Sequence, residues 1–169
     1  MADGRDPHQD TVTMRGIWLF IHLLGMAMWL GSMLTLGMWT ARARRTAEPR
    51  LISFTYSTAR RLYKGVVTAG AVMTVLSGAL LMVETGRGWF RPFPEHWLFQ
   101  MQVVGLAAFL ATIFYVVPNA GKLAALAERA VEHDVSSAEF GSRVKRQAIV
   151  ASVIGVGLIY VVLLGGLRF

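Results

Sequence analysis

The chain has 169 residues, 54% of them hydrophobic and 16% charged, with a formal net charge of +7 and a mean hydropathy of +0.49. A soluble domain carries about a quarter charged residues, and here the deficit is concentrated in four stretches, 16–40, 65–83, 97–121 and 147–167, that hold no Asp, Glu, Lys or Arg. This excludes a soluble enzyme, and the absence of cysteine excludes disulfides, thiolate zinc sites, iron–sulfur clusters and cysteine nucleophiles.

A hydrocarbon core about 30 Å thick needs about 20 apolar residues at 1.5 Å each. The four stretches are 25, 19, 25 and 21 residues long. The expectation is therefore an all-α protein, a single-domain four-helix transmembrane bundle. In chain order it comprises an outer tail (1–15), span one (16–40) and a basic cytoplasmic loop or helix (41–64). Span two (65–83), an outer loop (84–96) and span three (97–118) follow. A second cytoplasmic loop or helix (119–146) then leads to span four (147–167).

The first ten residues carry Asp3, Asp6 and Asp10 against Arg5, where a cleavable signal needs a basic start, so span one is expected to stay in the membrane. The connection after it holds Arg42, Arg44, Arg45, Arg50, Arg60, Arg61 and Lys64. The connection between spans three and four holds Lys122, Arg129, Arg143, Lys145 and Arg146. The tail, the middle loop and the C-terminus hold only two, two and one basic residues. Lys and Arg accumulate on the cytoplasmic side of inner-membrane proteins. The pattern thus places both termini outside and assigns the charge to membrane topology, not to nucleic acid. Arg60, Arg61 and Lys64 are expected against anionic lipid headgroups, each worth about 1 kcal/mol.

Within the first connection, Glu48-Pro49 reads as a helix restart, since proline is tolerated at the first helical position. Leu51, Phe54, Thr58 and Leu62 recur after it at helical spacing, which predicts an amphipathic helix. Span two sets Gly70, Thr74 and Gly78 four apart, and spans three and four carry similar small residues. Such faces let helices approach closely, inside one bundle or between copies. Pro118 is expected to kink or end span three.

An ionisable side chain inside a membrane is a functional hypothesis by default, and His22 is the firm case. It lies six residues beyond Gly16, with Met26, Trp29 and Met33 following on the same helical face. Met82, Glu84, His96, Gln100, Met101 and Gln102 belong to the same outer level and are expected to converge there. Imidazole ligates haem and copper, and thioether sulfur is a soft partner for either. The residues therefore allow His22 to ligate haem b, with Met101 or His96 as second ligand, or to bind copper with Met26. They equally allow a structural histidine hydrogen-bonded to Gln100 or Glu84. The methionines of span one fall on several faces and read as packing. No carboxylate pair lies within a span to support a proton relay or a two-metal site.

The run IHLLGMAMWLGSM, the basic TARARRTAEPRL, SGALLM before the outer loop and WLFQMQ opening span three resemble a bacterial family of small integral membrane proteins of unknown function. The likeness covers about residues 16–126, and the spacing of His22, Gly25, Trp29 and Gly31 is its most specific part. That family is similar in turn to the membrane domain of copper-resistance protein D and to the HemJ type of protoporphyrinogen oxidase. The HemJ resemblance implies haem b on His22. It also implies an essential lysine at about Met101, shortly after Trp97-Leu98, and this chain has no lysine there. The copper-resistance resemblance implies copper movement across the inner membrane. Three classes follow: a non-catalytic accessory subunit or cofactor holder, with other membrane subunits or further copies as partners; a HemJ-like oxidoreductase; and a copper-handling protein. The missing lysine favours the first.

Overall fold

The computed structural model describes residues 7–87, 89–90, 96–133 and 138–167, and every regular element among them is helical. The helices are α1 (Pro7–Arg45), α2 (Pro49–Leu62), α3 (Thr68–Glu84), α4 (His96–Ala111), α5 (Val117–His133) and α6 (Ala138–Leu167). Two π-helical turns, π1 (Tyr63–Val67) and π2 (Thr112–Val116), join α2 to α3 and α4 to α5 without a break. Four helical stretches result that are long and apolar enough to cross a membrane: Met14–Arg45, Pro49–Glu84, His96–Val131 and Ala138–Leu167. A continuous helix satisfies its backbone groups internally, as a span in lipid must.

The expected outer tail is helical from Pro7 onward, and α1 continues through Arg45 as one rod. At 39 residues it is about 58 Å long, well beyond the hydrocarbon thickness. It stops in a tight turn at Thr46 and Ala47, where Ala47 takes a left-handed φ of 54° and the Thr46 hydroxyl donates to the Ala43 carbonyl at 2.7 Å. Pro49 then opens α2, where its missing N–H costs nothing.

Pro118 does not end its helix. It lacks the N–H that a preceding carbonyl needs, and π2 lies immediately before it, so the turn widens and the helix runs on to His133. In π1 the Thr68 hydroxyl donates to the Tyr63 carbonyl, five residues back, at 2.9 Å. Both π turns are buried in the core: Val67, Thr112 and Val116 are fully covered.

α1 packs most closely on α3. A Cβ on Gly25 would fall 2.8 Å from the Thr74 Oγ1 and 2.9 Å from the Gly70 carbonyl oxygen. One on Gly70 would fall 2.8 Å from both the Gly25 carbonyl oxygen and the Trp29 backbone nitrogen. The small-residue face of span two is thus used inside the chain, where backbone contact replaces the hydrophobic drive that lipid removes.

The main apolar cluster runs through the bundle from Met26 and Trp29 on α1 to Ile154, Leu158 and Val161 on α6. A second cluster, formed by Tyr56, Leu123, Ala124, Ala127 and Val144, joins α2, α5 and the start of α6 outside the uncharged stretches. Tyr56 meets Phe140 edge-on, with ring centroids 5.2 Å apart. The buried face of α2 is Thr55, Tyr56 and Ala59, while Leu51 and Phe54 of the expected apolar face are exposed. α2 is amphipathic as expected: Thr55, Tyr56 and Ala59 turn inward, Ile52 and Leu62 pack beside them, and Leu51 and Phe54 face outward.

Candidate functional site

His22 lies one turn before Met26 on α1, and the face it begins turns inward, with Met26, Trp29 and Met33 all buried. The imidazole itself is half-buried against α3. Its Nδ1 lies 2.8 Å from the Thr74 carbonyl oxygen and 3.4 Å from the Ser77 hydroxyl. A carbonyl can only accept, so Nδ1 carries the proton, and in the neutral ring Nε2 keeps its lone pair. Gly78 makes this approach possible, since a Cβ there would come within 3.1 Å of the His22 Cε1. The neighbourhood on α3 is locked as well: the Thr74 hydroxyl donates to the Gly70 carbonyl at 2.8 Å, and the Ser77 hydroxyl donates to the Met73 carbonyl.

The hydrogen bonds of His22 among the described residues run to α3, not to Gln100 or Glu84 as the structural alternative had them. The remaining groups of the outer level pair among themselves. Gln102 donates to the Met82 sulfur at 3.4 Å and accepts from the Phe90 backbone N–H at 2.7 Å. The Tyr160 hydroxyl donates to the Gln100 side-chain oxygen. Arg87 lies over the Trp97 ring, 5.5 Å from its centroid. Met101 is half-buried in the α4–α6 seam, its methyl 3.5 Å from where a Cβ on Gly165 would be. His96 is exposed at the first position of α4, and Glu84 is exposed at the last position of α3. Trp29 is fully buried, and its indole N–H has no hydrogen-bond partner among the described residues.

Sequence reasoning missed a second polar site at the arginine-rich end. The buried Asn119 amide donates to the buried Gln147 side-chain oxygen at 2.6 Å. Gln147 is also hydrogen-bonded to the Tyr63 hydroxyl. Arg143 reaches the Asn119 oxygen at 3.5 Å and pairs with Glu139 at 2.9 Å. Above this network a cavity of about 420 Å³ opens between α1 and α6, with Arg44, Tyr56, Tyr63 and Gln147 in its lining. Burial pushes the Tyr56 phenol above its ordinary range, while Arg44 pulls it the other way. The sequence signal was modest: Asn119 and Gln147 are uncharged polar residues at the inner edges of two apolar stretches.

No curated protein and no solved structure matches the chain. A family model described as "Predicted integral membrane protein (DUF2269)" does match it, over residues 17–169, and the chain belongs to that family of integral membrane proteins.

Proposed function

We propose that the protein is a haem b-holding membrane protein without catalytic chemistry of its own, serving as an accessory subunit of the inner membrane with both termini outside. The observation that carries this reading is the hydrogen bond from His22 Nδ1 to the Thr74 carbonyl. Metal-ligating histidines characteristically anchor their second ring nitrogen in this way, which fixes the tautomer and raises the basicity of the other nitrogen. The donor set fits haem. A single imidazole with an available ring nitrogen would hold its iron, and His22 offers one. When bound, haem supplies reversible one-electron chemistry.

The chain's part is to hold and orient the imidazole. Thr74 fixes the ring, Gly78 makes room for it, and the Gly25–Gly70 contact keeps α1 and α3 in register. Met101 or His96 would be the second residue to hold the group. The resemblance to the HemJ type supports haem on His22, and Met101 in place of lysine argues against porphyrinogen oxidation.

The test is an absorption spectrum of protein purified in mild detergent from haem-replete cells. A Soret band is expected that His22→Ala abolishes, together with a change of spin state in either Met101→Ala or His96→Ala. Copper bound in place of haem, and lost in Met26→Ala and His22→Ala, would replace the reading with copper handling. Turnover of protoporphyrinogen would replace it with the oxidase. A colourless, metal-free protein indistinguishable from its His22→Ala variant leaves only the structural role for this histidine.

A further inference from the structure

Lys64 is the last charged residue before the uncharged stretch 65–83, and Lys122 is the first after the uncharged stretch 97–121. In a helix crossing lipid, such residues sit at the headgroup level. They are 58 positions apart in the chain, yet packing of α2 on α5 puts both on the rim of one hollow of about 540 Å³. Arg60, one turn before Lys64, is the third cation on the rim. Its Nε lies 4.0 Å from where a Cβ on Gly121 would be, so the guanidinium reaches across to α5 over a residue with no side chain. Val117 and Pro118 form the apolar floor, and no carboxylate lines the hollow among the described residues.

Three cations gathered beside a low-dielectric core repel one another more strongly than they would in water. The one salt bridge of this end that the described residues show, Arg143 to Glu139, lies on α6 and leaves this charge uncompensated. A bound anion would offset this repulsion. Basic pockets between transmembrane helices are suited to phosphorylated lipid headgroups, and an arginine fork adds bidentate geometry toward phosphate. We propose that this hollow binds an anionic phospholipid with two phosphodiester groups. One phosphate is met by Arg60 and Lys64 from α2, the other by Lys122 from α5, and Val117 and Pro118 cover the start of the acyl chains. The assignment is independent of what His22 holds.

The experiment uses the full chain in detergent, titrated with diphosphatidylglycerol, phosphatidylglycerol or phosphatidylcholine, with bound lipid counted by native mass spectrometry. Diphosphatidylglycerol is expected to bind tightest and phosphatidylcholine weakest. Arg60→Gln and Lys122→Gln are each expected to weaken its binding about fivefold, as the loss of one cation near the headgroups implies. Arg61→Gln removes the same charge from an exposed neighbour that lies outside the hollow, and it is expected to weaken the binding less than twofold. All three positions with altered charge are exposed, and unchanged helical circular dichroism verifies that the variants fold. Equal weakening by Arg61→Gln would overturn the site in favour of diffuse surface charge. Equal binding of phosphatidylglycerol would overturn the two-phosphate assignment, and displacement of the lipid by millimolar inorganic phosphate would overturn the membrane source.

Discussion

A single backbone carbonyl decides which nitrogen of His22 is open to a ligand. The sequence gives the residue's depth in the span and its face, because an uncharged stretch has a countable edge and a helix has a fixed period. It cannot give the tautomer, which comes from Thr74, 52 positions away. The glycines teach the same lesson in reverse. The spacing of Gly70, Thr74 and Gly78 marks a face for close approach, but only the fold shows that Gly25 and His22 fill it. Gly70→Ala, whose new methyl would meet backbone atoms at 2.8 Å, is expected to cost about 1–3 kcal/mol, the usual range for overpacking. Gly31→Ala, whose methyl would meet open space, is expected to be neutral or to gain about 0.5–1 kcal/mol from helix propensity. Unfolding in mixed micelles, followed by circular dichroism, separates the two. Equal stability of both variants would show that the helices do not cross at Gly70.

At the scale of elements, the helices themselves were legible and their partners were not. The restart at Pro49 follows from local chemistry, and the structure has it. The spacing in α2 marks its apolar residues, but only the fold shows that Leu62 packs on the core while Leu51 and Phe54 face outward. Pro118, expected to kink or end its helix, does not end it. Its ring and missing N–H forbid a regular turn, yet a π turn absorbs the loss, and neighbouring packing keeps the helix whole. The join between α5 and α6 carries its own prediction. Asn119→Leu leaves the Gln147 oxygen buried without its donor and is expected to cost about 1–3 kcal/mol, whereas adding Gln147→Leu should cost less than the two single effects combined. Thermal unfolding of the two single variants and the double one gives the coupling. Strict additivity would mean that the bond contributes nothing.

For the whole molecule, the charge asymmetry predicts that both arginine-rich connections face the same compartment. Because the chain has no cysteine, a single introduced thiol gives labelling without background. Cysteines at the exposed positions Arg50 and Gly141 are expected to be labelled from the cytoplasm only, and one at the exposed Trp89 from outside only. Labelling of Arg50→Cys and Trp89→Cys from the same side would overturn the four-span topology. Length and the placing of charge were enough to read four helical membrane spans, because a charge within lipid is so costly that spans about 20 residues long are left without one. Packing between helices settles which nitrogen of His22 carries the proton, that Asn119 meets Gln147, that a second core forms outside the uncharged stretches, and that Lys64 shares a hollow with Lys122. Hydropathy is a property of each residue and its neighbours along one helix. Contacts between helices depend instead on where small side chains let backbones meet, and that can be read only when both partners are in place.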